Sequence, residues 1–218
     1  PLPHAVRAKL EPASRLVKQA LWVMMHPVQG FESLRYEGKG KLSDLFWLLA
    51  AFLAVRTLEP LSTGFLFSSV APDEIQWGKH LLYSLIPWLL WSAVGYGVST
   101  ISDGEGRFRD VCISAAYCLM PFIVFSLPLA LVSRVLTFQE GNFFRLAQAA
   151  IWIWTAVLMF FQVKETHDYD AGKAVRIVAL TAAGCVVAAG LFLIFYGLAL
   201  QLFDFIAQVV REDLLNGF

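Results

Sequence analysis

The sequence predicts an all-α membrane protein: five transmembrane helices, preceded by an N-terminal amphipathic helix lying in the membrane interface. Three observations carry this. Apolar residues make up 58% of the chain, where soluble domains hold about 45–50%. One run, 111–133, has 23 residues without a charge, and about 20 helical residues cross a hydrocarbon core about 30 Å thick. Other apolar runs, comparable but not all as clean, alternate with short charged loops.

The N-terminal segment, 1–42, is polar to amphipathic. A helix over 12–25 places Leu16, Val17, Ala20, Leu21, Met24 and Met25 on one apolar face, with Arg15, Lys18 and Gln19 opposite and Trp22 at the border. That pattern fits a helix in the headgroup region, and equally one packed on the cytoplasmic end of the bundle. Pro27 disfavours helix at His26, so the helix stops there. A short polar stretch and a basic glycine linker follow.

The five-helix domain covers 43–203. Its first span starts near Ser43 and is interrupted by Arg56 and Glu59, three residues apart and so able to pair. A charge at mid-bilayer costs about 2.5–3.5 kcal/mol on insertion scales. The pair therefore either sits inside the bilayer as a couple, or marks a helix end near Pro60 with 61–71 re-entering or lying flat. The second span, 81–101, carries Ala93, Gly95, Gly97 and Ser99 at spacings that let backbones approach closely. The third is the uncharged run, with Pro121 and Pro128 seven apart on nearly one face. Each proline frees a carbonyl one turn back, so this helix is expected to be central and kinked. The fourth span is 146–163. The fifth, 177–203, carries Gly184, Ala188, Gly190 and Gly197, a small-residue seam suited to a helix interface. An amphipathic tail, 204–218, is expected to extend that helix along the extracytoplasmic interface.

Lysine and arginine set the orientation. With the N-terminus inside, twelve basic residues fall in cytoplasmic segments and four outside, Arg56 aside. The N-terminus is therefore expected in the cytoplasm and the C-terminus outside. The first basic residues are not followed by the clean apolar core of a cleavable signal.

Chemistry-bearing patterns are few. The formal net charge is zero, which gives no reason to expect a nucleic-acid partner. Cys112, Cys118 and Cys185 lie in apolar runs and are read as small core residues. No metalloprotease, nucleophile-elbow or phosphate-loop motif occurs, so no catalytic residue, cofactor or metal is expected. Glu165, His167, Asp168 and Asp170 could in principle hold a divalent cation, or form a solvated loop pairing with Lys164, Lys173 and Arg176.

Three cytoplasmic segments carry the most specific residues. They are His26 and Pro27 with Phe31 and Arg35; Gly104, Gly106 and Phe108 leading to Tyr117 and Pro121; and Glu165 with His167. In this order, between five apolar spans, the chain resembles the bacterial branch of the Ypt-interacting-protein (Yip) family over about residues 20–200. The charged glycine loop, with Asp103, Glu105 and two arginines, departs from the smaller loop expected of relatives, and the long cytosolic arm of eukaryotic members is missing from this sequence. The resemblance implies a multi-pass fold in the bacterial plasma membrane. It does not carry over the vesicle-traffic role associated with the eukaryotic relatives. The first functional reading is a non-enzymatic accessory or scaffold subunit contacting lipid and binding another membrane protein. The runner-up is a transport-class role, as an auxiliary subunit of a transporter such as an ABC importer or in lipid movement. A metal-dependent membrane enzyme is the third.

Overall fold

Twelve consecutive residues, 111–122, are buried in the computed structural model, which describes residues 4–67 and 76–216. A helix buried on every side must be the centre of its bundle, and the other elements are arranged around it. In chain order they are α1 (His4–Met25), α2 (Pro27–Tyr36), α3 (Leu42–Ser62), α4 (Trp77–Ile101), α5 (Phe108–Tyr117), α6 (Met120–Val132), a 3₁₀ turn (Phe138–Glu140), α7 (Gly141–His167) and α8 (Ala171–Asn216). Among the described residues there is no strand. Five helices among the described residues are long and apolar enough to cross a membrane: α3, α4, α5 with α6, α7 and α8. The core joins Phe52, Trp88, Tyr117, Phe122 and Leu158, with Val23, Phe31 and Leu34 closing the end that carries α1 and α2. That end is called the N-terminal face below.

The third span is kinked at one of its two prolines. It breaks at Cys118 and Leu119, and α6 restarts with Pro121 in its first turn. Without an N–H, Pro121 cannot bond the carbonyl of Tyr117, so the ladder stops there. The Leu119 N–H donates instead to Ala116, at 3.1 Å, in a tighter turn. Pro128 lies inside α6 without a break, and it is exposed where Pro121 is buried.

Helix α3 ends at Ser62, two residues past Pro60, so the helix end expected near Pro60 is there although the proline itself does not stop the helix. The carbonyl that Pro60 leaves without a partner is that of Arg56, and His80 Nε2 donates to it at 2.9 Å from α4. Arg56 Nη1 bonds Glu59 Oε2 at 2.9 Å, and its Nε donates to Ser84 Oγ at 3.2 Å. The pair lies in the last two turns of α3, with Arg56 about 9 Å before the helix end by helical rise. Beyond it, Arg134 donates to the Leu61 and Ser62 carbonyls at 2.9 and 2.7 Å, closing the helix end. The expected apolar continuation over 61–71 is a turn through Phe67, and its remainder falls outside the described residues.

At the N-terminal face the sequence reading needs correcting. Residues 27–36, a short polar stretch in which the sequence predicts no element, form α2. Pro27 sits at the first helical position, where its missing N–H leaves nothing unpaired. Helix α1 begins at His4, earlier than expected, and stops before His26 as predicted. It packs on the bundle end through Ala20, Val23 and Met24. The fourth span is longer than 146–163 at both ends: α7 runs from Gly141 to His167, and Lys164 is paired with Glu165 at 2.6 Å.

Helix α8 spans 46 residues, about 69 Å, and passes position 204 without interruption. Near its start it packs against α4. A Cβ on Gly184 would lie 2.7 Å from Val94 Cγ1, so this glycine serves contact within the chain rather than contact with another polypeptide. Around Gly190 and Gly197 the space is open, Ala188 is half-buried, and from 189 onward nearly every residue to 208 is exposed.

His80→Ala should lower stability by about 1–3 kcal/mol, because it strands the Arg56 carbonyl. Pro60→Ala in that background restores an N–H and should recover part of the loss, read as the thermal midpoint in detergent. Equal destabilisation in the single and double variants would refute the pairing.

Candidate functional site

Two tight backbone reversals bring the loops of the N-terminal face together. After α4, the Gly104 N–H donates back to the Ser99 carbonyl at 2.8 Å, and Asp103 adopts the left-handed region at φ 55°. Aspartate tolerates that region better than most residues. Helix α7 ends on a second left-handed aspartate, Asp168 (φ 57°, ψ 46°), which turns the Tyr169 N–H onto the Lys164 carbonyl at 2.9 Å. Together these turns press His167 and Tyr169 against the glycine loop.

The contact is close enough to exclude side chains. A Cβ on Gly104 would sit 2.5 Å from the Tyr169 hydroxyl and 2.6 Å from His167 Nδ1. One on Gly106 would sit 2.8 Å from His167 Cε1. The Gly106 N–H donates to His167 Nδ1 at 3.2 Å, so the ring in this arrangement is neutral and carries its proton on Nε2. His167 is buried and stacks on Tyr169, with centroids 5.4 Å apart and planes at 17°. The Tyr169 hydroxyl donates to the Ser99 carbonyl at 3.1 Å. Burial raises this phenol above its ordinary range, which keeps the proton the bond requires. Lys173 lies over the Tyr169 ring at 4.6 Å.

Arg35 of α2 ties in the third segment. Its Nη2 meets Glu105 Oε2 at 2.6 Å, and its Nη1 donates to the Glu165 carbonyl at 3.3 Å. Glu105 is 68% exposed, so the ion pair fixes position more than it adds stability. Beside it a shallow cleft between α2, α5 and α7 is lined by Phe31, Ile113, Arg35, Asp110 and Thr166, among others.

Of the residues singled out from the sequence, Phe31, Arg35, Gly104, Gly106, Glu165 and His167 thus belong to one assembly. The remaining motif residues do other work. His26 stacks on Trp22 at 4.0 Å, and Pro27 starts α2. Phe108 is half-exposed and meets Tyr96 edge-on, while Tyr117 and Pro121 flank the break in the third span. The acidic cluster does not converge. Glu165 pairs with Lys164, His167 faces Gly106, and Asp170 accepts from the Gly172 N–H at 3.1 Å. No group of three or more His, Cys, Asp or Glu among the described residues is placed to hold a metal ion.

A second polar cluster was not found from the sequence. Asp44 is buried at the start of α3, bonded by Arg15 of α1 at 3.0 Å and by the Tyr117 hydroxyl at 3.2 Å. It also accepts from the Lys41 N–H at 3.2 Å, as an acid in a first helical turn does. Only that local role was legible; Arg15 and Tyr117 lie 29 and 73 residues away. Further in, Ser114 accepts from Gln162 at 3.1 Å and from Thr166 at 3.3 Å, joining α5 to α7.

This arrangement defines an all-α, multi-pass membrane protein whose distant loops close over one end of the bundle. The Yip1 domain family model matches residues 22–203, most of the chain, and the protein belongs to that family. No curated protein and no solved structure matches it.

Gly104→Ala and Gly106→Ala should each destabilise the fold by about 1–3 kcal/mol, the usual penalty of overpacking. Gly78→Ala, at an open position in α4, should be neutral or mildly stabilising. Thermal unfolding in detergent compares the three, and equal effects would refute the packing argument.

Proposed function

We propose that this protein is a non-enzymatic accessory or scaffold subunit of the bacterial plasma membrane, with its N-terminal face in the cytoplasm, and that it binds another membrane protein. The observation that carries the reading is the far half of α8. It diverges from the bundle, and apolar residues such as Val187, Leu191, Phe195 and Leu198 are exposed around it. A helix held only at its near half offers a long apolar surface at which a second transmembrane element can pack by close approach. Gly190, in open space, lies on that surface. The N-terminal face would then serve as the rigid platform from which α8 extends. The basic bias of the loops supports the orientation.

A transport-class role is the second reading, as an auxiliary subunit of a transporter or in lipid movement. It is favoured by the Arg56, Glu59 and His80 cluster inside the spans, since intramembrane ionisable groups commonly mark pathways.

Gly190→Leu should leave the melting temperature unchanged and remove a co-purifying membrane protein in mild detergent. Gly184→Leu, which would collide with Val94, should fail to fold. A folded Gly190→Leu variant that retains every partner would contradict the docking surface. Lipid transfer by the purified chain alone in liposomes would favour the second reading. For orientation, a cysteine at Gln139 should react with an impermeant reagent from outside intact cells, and one at Glu105 should not. Labelling at Glu105 would reverse the assignment.

A further inference from the structure

Helix α1 carries two apolar surfaces where the bundle uses one. Ala20, Val23 and Met24 are buried against the core, with Leu16 and the inner side of Leu21 packed beside them. Val17, Leu21 and Met25 recur every fourth residue on an adjacent flank. There Val17 is 52% and Met25 65% exposed, with Leu21 half-buried between them. The height of this flank in the membrane is fixed by a contact: Arg15 bonds Asp44, in the first turn of α3, where a span begins. Two residues on, Phe46 and Trp47 of α3 are exposed by 65% and 68%, as lipid-facing residues at the end of a span are. The Arg15 end of α1, two residues before Val17, thus lies at the level where this lipid-facing surface begins. Lys18 and Lys41 are exposed in the same region, and neither is in an ion pair among the described residues.

We propose that the Val17, Leu21 and Met25 flank of α1 docks into the leaflet at the N-terminal face, drawn by anionic lipid headgroups around Lys18 and Lys41, and that Arg15 transmits this docking to the break in the third span. Apolar flank and cationic edge together are what an interfacial helix presents to an anionic surface. Transmission follows from the bonds on Asp44. Arg15 on α1 and Tyr117, the last residue before the break, share one buried carboxylate. Moving α1 away would leave Asp44 without its cation, and burial makes an unpaired charge unfavourable. Tyr117, and with it Cys118 at the break, therefore senses whether α1 is seated. The inference is independent of the far half of α8.

The test uses the full chain in phosphatidylcholine vesicles with and without phosphatidylglycerol. An environment-sensitive fluorophore on Val17→Cys should be quenched by lipids bearing a nitroxide near the headgroup, more strongly when phosphatidylglycerol is present. Lys18→Glu, a surface change that spares the fold, should reduce the phosphatidylglycerol-dependent quenching by about half or more. Separately, alkylation of Cys118 in the unlabelled chain, followed by mass spectrometry, should slow by about fivefold with anionic lipid. Arg15→Ala should abolish that difference and Arg15→Lys should keep it. If Arg15→Ala does not fold, Lys18→Glu serves instead and should shrink the Cys118 difference. A label that stays in water, or is shielded yet not reached by lipid quenchers, would overturn lipid docking; the latter result would assign the flank to a protein. Lipid-quenched label with Cys118 reactivity indifferent to lipid composition would overturn the transmission.

Discussion

Within hydrocarbon a peptide carbonyl has no water to turn to, and leaving it unpaired costs several kcal/mol. Much of this fold follows from how the chain meets that constraint at its prolines. At Pro60 the freed Arg56 carbonyl is satisfied from outside, by His80, and α3 continues. At Pro121 the helix breaks and restarts, and the break is enclosed by the rest of the bundle. One device joins α3 to α4; the other makes α5 and α6 the axis about which α3, α4 and α7 pack, with α8 outside against α4 and α7. Placing the break on the most buried segment keeps its irregular backbone away from lipid.

The N-terminal face shows a different kind of constraint, one of space. Glycines are often read as sources of freedom, yet here Gly104 and Gly106 are needed because His167, Tyr169 and Ser99 occupy the volume a side chain would fill. The Gly106 N–H, the imidazole, the tyrosine and the Ser99 carbonyl then form a connected path from the glycine loop to α7 and back to α4. Arg35 adds α2 through Glu105 and the Glu165 carbonyl. Three segments spread over 130 residues of chain thereby close one end of the bundle.

Much of this was legible in the sequence for physical reasons. Five spans and the central kink follow from hydropathy, length and proline chemistry, which are local properties. The stop of α1 before His26 follows from the proline after it. What stayed hidden depends on partners distant in the chain. Residues 27–36 have too little apolar periodicity to stand out, because Gly30, Ser33 and Gln29 break the pattern; their helicity comes from packing. Asp44 did not stand out, since nothing local points to Arg15 or Tyr117. Gly184 and Gly190 looked equivalent, six residues apart on one span, and only the divergence of α8 from α4 separates a contact inside the chain from a free surface.

The bundle is thus closed by loop contacts at one end and exposed along the far half of α8, the surface on which the proposed docking of another membrane protein rests. The most direct test places a photo-crosslinking amino acid at Leu193, which is exposed on that half, in cells expressing the full chain. The account predicts a discrete adduct with a second membrane protein, absent when the crosslinker is moved to buried Leu158. Adducts with lipid alone would contradict it.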